Sequence, residues 1–149
     1  MVARCPKTSA LGVCVATAVP AVGSVVPHVK FGVGAIATQA YTNVLYGING
    51  LKLLKMGFSP QTALEAMLKE DTEREQRQVI IIDKDGRTAA FTGKETIDWK
   101  GHLIGENYVV AGNMLVGSEV IKAMAHSFKG SEGDLSERLM KTLEAGQRA

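Results

Sequence analysis

The sequence predicts an α+β domain, and three observations carry this. Short apolar runs bounded by Gly, Pro, Asn and Asp form two blocks, over residues 2–37 and 78–111. Each block is followed by a pair of segments whose apolar residues recur every three or four positions, as on a helix with one buried face. The order is therefore β-rich, two helices, β-rich, two helices, and each helical pair has a sheet to cover. At 149 residues the chain is a single domain, residues 1–149, with length for a real core.

Residues 2–5 and 11–18 read as strands around the polar turn Pro6-Lys7-Thr8-Ser9. Residues 11–19 are almost continuously apolar, which predicts burial on both faces of a covered sheet. Residues 24–31 form a third strand with Pro27 at a bulge or edge. Gly32 turns the chain into a fourth strand, 33–37, and Thr38-Gln39-Ala40 breaks the run. Tyr41, Leu45, Ile48, Leu51 and Leu54 then recur at helical spacing, so a helix is expected over 42–56, with Gly47 and Gly50 marking close packing or a break. Ser59-Pro60 opens a second helix whose apolar face is Ala63, Leu64, Met67 and Leu68. The charged run 70–77 reads as a solvated connection.

Residues 78–83 and 88–92 form a hairpin around Lys84-Asp85-Gly86. Extended pieces follow at 99–104 and 108–111. The turn Gly112-Asn113-Met114-Leu115 leads to a helix with Val120, Ile121 and Met124 inward. A last helix starts from Asp134 as N-cap, turns Leu135, Leu139 and Leu143 inward and ends at Gly146. Val13, Val15, Val33, Ile36, Ile80 and Ile82 are the expected sheet core.

Hydrophobic residues make up 46% and charged residues 21%, a globular balance. A net charge of +2 with no basic patch gives no footprint for nucleic acid. No apolar run is long enough to span a bilayer, and the N-terminus lacks a basic region followed by a compact apolar one. The expected setting is cytoplasmic. If the first turn centres on Ser9, Cys5 faces Val13 and Arg4 faces Cys14, so the two thiols point to opposite faces and do not bond. Nothing in the sequence calls for a metal or another cofactor.

The step from the fourth strand into the first helix is where chemistry is expected. A polar turn between strand and helix leaves free N–H groups, and with the helix dipole they suit an oxyanion or a carboxylate. The competing reading makes Thr38 and Thr42 only turn and cap residues.

The segments VGSVVPHVKFGVGAIATQAYTN, YGINGLKLL, RQVIIIDKDGRTAAFTG and VVAGNMLVG resemble an uncharacterised family of Ntn-hydrolase-like proteins, the N-terminal-nucleophile class. That family is catalogued as a domain of unknown function and is distantly similar to proteasome subunits and amidohydrolases. The resemblance spans nearly the whole chain in order. It implies a four-layer α/β/β/α sandwich. It also implies a first-residue Thr, Ser or Cys acting as nucleophile, with its own α-amine as base. Carried over by position, it places oxyanion donors at Thr38 and Gln39, and Asn113 as a second polar group bordering the site. It places Ser24, His28 and Lys30 on or near the third strand as helpers or substrate contacts. Asn43 and Tyr46, early in the first helix, could reach the same pocket or simply pack.

The chain departs from that pattern at its ends. Relatives begin a few residues earlier with a small hydroxyl residue, whereas here Val2 follows Met1 and no Thr, Ser or Cys precedes Cys5. Relatives also continue past the last helix into a closing strand, so the chain reads as clipped at both termini. Three functions are then in competition: an amide-bond or peptide hydrolase lacking its nucleophile, a non-catalytic binder of small molecules or carboxylates, and a subunit of a symmetric oligomer. A homodimer or larger assembly is expected through Leu53, Met56, Met67, Leu139 and Met140.

Overall fold

The computed structural model describes all of residues 1–149. The protein is a mixed α+β structure of two antiparallel four-stranded sheets and four α-helices. In chain order the elements are β1 (Val2–Arg4), β2 (Leu11–Val13), β3 (Pro27–Lys30), β4 (Gly34–Ala40), α1 (Leu45–Lys55) and α2 (Pro60–Glu70). They continue with β5 (Arg77–Asp83), β6 (Thr88–Thr92), β7 (Gly101–Gly105), β8 (Tyr108–Gly112), α3 (Glu119–Gly130) and α4 (Leu135–Arg148). One sheet runs β2-β1-β8-β7 and the other β3-β4-β5-β6.

Strand parity sorts the core. In β4 and β5, Ile36, Val79 and Ile81 turn toward α1 and α2, where they meet Leu54, Ala63 and Leu64. The alternate residues Ala35, Ala37, Ile80 and Ile82 face the other sheet and pack on Val2 and Val109. The outer face of β1 and β8 carries Ala3, Tyr108 and Val110 against Met124, Phe128, Leu135 and Leu139 of α3 and α4. Of the expected sheet core, Ile36, Ile80 and Ile82 are fully buried, while Val13, Val15 and Val33 are half-buried.

Helix signals placed as expected include Ser59, which accepts the Thr62 N–H at 3.1 Å, and Asp134, which accepts the Glu137 N–H at 2.9 Å. Several boundaries move. β2 stops at Val13 rather than reaching residue 18, because its ladder with β1 ends at the Met1–Cys14 pair. The register Val2↔Val13, Ala3↔Gly12, Arg4↔Leu11 replaces the expected one. Its cause is a tighter turn, in which the Ser9 N–H donates to the Cys5 carbonyl and Ser9 adopts φ 58°. Both cysteines are free. Four residues of extended ladder, roughly 13 Å, separate their positions.

α4 does not end at Gly146 but runs to Arg148. A side chain at 146 would strike Met124, so this glycine lets α4 lie close to α3. Of the residues expected on an oligomer surface, Leu139 is core, Leu53 and Met67 pack partly under α1 and α2, and Met56 and Met140 are exposed. No helix is long and apolar enough to cross a membrane.

Candidate active site

At one end of the molecule the two sheets part. β4 ends three residues later than expected, at Ala40 with φ 69°, and the chain after β8 turns at Met114 with φ 56°. Left-handed backbone at non-glycine residues costs free energy and persists where the surroundings over-determine it, as functional sites often do. Ala40 and Met114 both line one cleft of about 460 Å³. The Tyr41 N–H donates to the Gln76 carbonyl on one wall, and the Met114 N–H donates to the Ile97 carbonyl on the other. Gln39, Gln76, Asn113 and Glu95 are its main polar lining. The volume suits a small molecule.

Gln78 sits behind this cleft and is 2% exposed. Its parity is that of Ile80, so it faces the gap between the sheets. Its Nε2 lies 2.8 Å from the Gly112 carbonyl, 3.0 Å from Thr92 Oγ1 and 3.2 Å from the Gly101 carbonyl, so two hydrogens serve three acceptors. Its Oε1 accepts from Asn113 Nδ2 at 3.1 Å, which fixes the Asn113 amide at the cleft wall. Thr92 Oγ1 continues the chain to His102 Nδ1 at 2.9 Å, at the exposed end of the network. Sequence reading missed Gln78, which it treated only as the first residue of an apolar strand.

Below the cleft, a void of about 10 Å³ is bordered by Met1, Cys14, Gln39 and Gln78. The Met1 α-ammonium donates to the Cys14 carbonyl at 2.8 Å, and burial lowers its pKa. Burial pushes the Cys14 thiol up.

The structure divides the sequence-derived site residues among separate places. Gln39 and Asn113 share the cleft. Thr38 does not line it: β4 continues past Ala37, so no turn frees the Thr38 amide. Its N–H donates to the Val26 carbonyl at 3.3 Å and its hydroxyl to the Asn43 carbonyl at 3.3 Å. Successive strand amides point to opposite neighbours, so the Gln39 N–H turns to β5, where Gln39 stands opposite Gln78. The oxyanion donors expected at a strand-to-helix turn are therefore sheet amides, and Gln39 offers its side chain instead.

Ser24 is exposed and donates to the Ala21 carbonyl at 2.8 Å within its own turn. His28 is half-buried beneath α1, its Nε2 3.2 Å from the Val25 carbonyl and its ring where a side chain at Gly47 would be. Lys30 is exposed on the edge strand β3. Asn43 accepts the Leu45 N–H at 3.0 Å, so the helix starts three residues later than expected.

Asn43 and Tyr46 line a different groove, of about 550 Å³, between α1 and α2. That groove is larger, but its most buried polar groups are satisfied internally. The Tyr46 hydroxyl donates to Asp71 at 2.9 Å, and burial followed by that bond holds its pKa far above the tyrosine range. Asp71 also takes the Arg77 Nε at 2.9 Å, and Arg77 reaches Glu73 at 2.7 Å. Glu70 and residues 72–74 are exposed, as expected of a surface connection, but Arg77 at the end of the run is 4% exposed and pairs with Asp71. No three His, Cys, Asp or Glu side chains converge to hold a metal ion.

Fold and site together define an α+β protein of two antiparallel sheets that open at one end into an amide-lined cleft. A family model described as a family of unknown function, DUF1028, matches residues 1–149, and the chain belongs to that family. A crystal structure of protein SPO2555 from Silicibacter pomeroyi, of the same DUF1028 family, superposes with a TM-score of 0.89 at 30% identity, covering 99% of this chain and 69% of that one. No functionally curated protein matches.

Proposed function

We propose that this is an Ntn-hydrolase-like protein of the four-layer α/β/β/α type, and that its cleft binds a small molecule or peptide through an amide group. The observation that carries the reading is that Gln39 of β4 and Asn113, which follows β8 of the other sheet, line one cleft flanked by the strained Ala40 and Met114. A primary amide donates and accepts at once, so two amides in one cleft can match both halves of a ligand amide. The residues that line the cleft supply binding and polarisation of an amide bond. The reading as a carboxylate binder is weaker, because no Lys or Arg lines the cleft.

The test is calorimetric titration with N-acetyl-L-phenylalaninamide and with acetate. Amide binding that is lost in Gln39→Ala and in Asn113→Ala supports the reading. Binding of acetate but of no amide overturns it in favour of a carboxylate site.

A further inference from the structure

We propose that the cleft selects an amide that also carries an amine and a large apolar group, the chemistry of an apolar amino-acid amide or of the first residue of a peptide. This rests on the reading of the cleft as an amide site and adds the charge and the side chain of its ligand.

The charge follows from the lining. Glu95 is the only charged residue among those bordering the cleft. Its backbone N–H donates to the Glu75 carbonyl at 2.8 Å, which fixes its place, while its carboxylate makes no ion pair or hydrogen bond within the chain. The cations nearby are engaged or outside. Arg77 lies behind Tyr41, 5.1 Å from its ring centroid, and is held by Asp71 and Glu73. Lys100 donates to the Lys94 and Thr96 carbonyls. Lys94, next to Glu95 in sequence, does not line the cleft. A ligand cation therefore finds a free carboxylate there, and a ligand anion finds only repulsion.

The apolar group follows from the mouth. Val19, Tyr41, Ile97 and Met114 all border the cleft and are 60% to 68% exposed. Tyr41 is held on one wall by Gln76, and Ile97 and Met114 are bonded to each other on the other wall. Large apolar side chains held in place around a polar interior are what an apolar ligand group would cover. The amides of Gln39 and Asn113 lie inward of this rim, so one ligand meets amide, carboxylate and apolar wall together.

The experiment titrates four probes by calorimetry: L-phenylalaninamide, N-acetyl-L-phenylalaninamide, N-acetyl-L-phenylalanine and glycinamide. L-Phenylalaninamide is expected to bind tightest, about fivefold tighter than its neutral acetylated form, as an exposed ion pair allows. The anion is expected to be weakest, and glycinamide about tenfold weaker than L-phenylalaninamide for want of an apolar group. Glu95→Gln, at an exposed position, should leave thermal unfolding unchanged and erase the difference between the amine and its acetylated form. Raising the salt concentration should shrink the same difference. Equal affinity for the amine and the anion, or for the glycine and phenylalanine amides, overturns the proposal while leaving the amide site standing. Failure of every amide to bind overturns both.

Discussion

The Asn113 side-chain amide donates to Gln78 Oε1 at 3.1 Å across the gap between the two sheets. Gln78 belongs to β5 and Asn113 follows β8, so this bond and those from Gln78 to the Gly101 and Gly112 carbonyls lock one sheet onto the other beside the cleft. A buried network of this kind specifies an arrangement when all its members are satisfied, and becomes costly when one is removed.

Gln78→Leu should therefore destabilise the fold by about 2 kcal/mol, because the part-buried carbonyls of Gly101 and Gly112 lose a donor and the Asn113 amide loses its acceptor. Asn113→Ala alone should cost less, since Asn113 stands at the cleft wall where water can replace it. A double-mutant cycle followed by urea unfolding should give a coupling energy of at least 0.5 kcal/mol. Strict additivity of the two substitutions would show that the bond does not tie the sheets together.

The Asp71–Arg77 pair gives a pH signature. Hydrogen bonds from Arg77 hold the Asp71 carboxyl below its ordinary pKa. A depressed acid stabilises the fold above its unfolded pKa, and that stabilisation is lost as pH falls through the folded value, here below about pH 4. Asp71→Asn leaves the buried Arg77 guanidinium short of its counter-charge and should cost about 3 kcal/mol at pH 7. The gap between wild type and variant should narrow as the pH is lowered below about 4 and the folded state takes up the Asp71 proton. A gap independent of pH over that range would remove Asp71 as the source.

Gly47 and His28 make a steric pair. Helix propensity alone favours Gly47→Ala by roughly 1 kcal/mol. A side chain there meets the His28 ring, and the overpacking penalty of about 1–3 kcal/mol should dominate. Thermal unfolding should therefore show Gly47→Ala destabilised and His28→Ala/Gly47→Ala recovered relative to it. A stable single variant would mean that His28 swings aside freely.

Most of the fold was legible because period-2 and period-3.6 patterns are printed directly in the residues. β6 was read at 88–92 as it stands, and the Ser59 and Asp134 caps held their predicted places. The boundaries that moved did so for tertiary reasons: β4 runs on to Ala40 because β5 runs beside it to Arg77. The site was only half legible. Gln39 and Asn113 were singled out, but Thr38 has the parity of Ile36 and faces the helices, whereas Gln39 has that of Ala37 and faces the gap. The same parity would have flagged Gln78, a polar residue opening the apolar run Val79-Ile80-Ile81-Ile82 on the inner face. Asn43 and Tyr46 could not be assigned by spacing, because only the pairing of α1 with α2 sets them on another groove.

The last prediction concerns turnover. N-terminal-nucleophile chemistry needs a nucleophilic atom and a free amine on one residue, close enough for proton transfer. Val2 has no such atom, and Met1 carries only a thioether. The Met1 amine lies beside Cys14, but the two belong to different residues and burial keeps the Cys14 thiol protonated. The Cys5 nitrogen is an amide that donates to the Ala10 carbonyl at 2.8 Å, so it cannot act as a base. A polypeptide that begins at Met1, incubated with a panel of amides and peptides, should give binding at the Gln39–Asn113 cleft without steady product formation. A version with a Thr-led extension before Met1 supplies a hydroxyl and a free amine on one residue, and it is the comparison to assay beside this chain. Turnover by the unextended chain that is insensitive to both Cys5→Ala and Cys14→Ala would overturn the prediction. Turnover abolished by Cys14→Ala alone would overturn it too, by making the buried thiol the nucleophile.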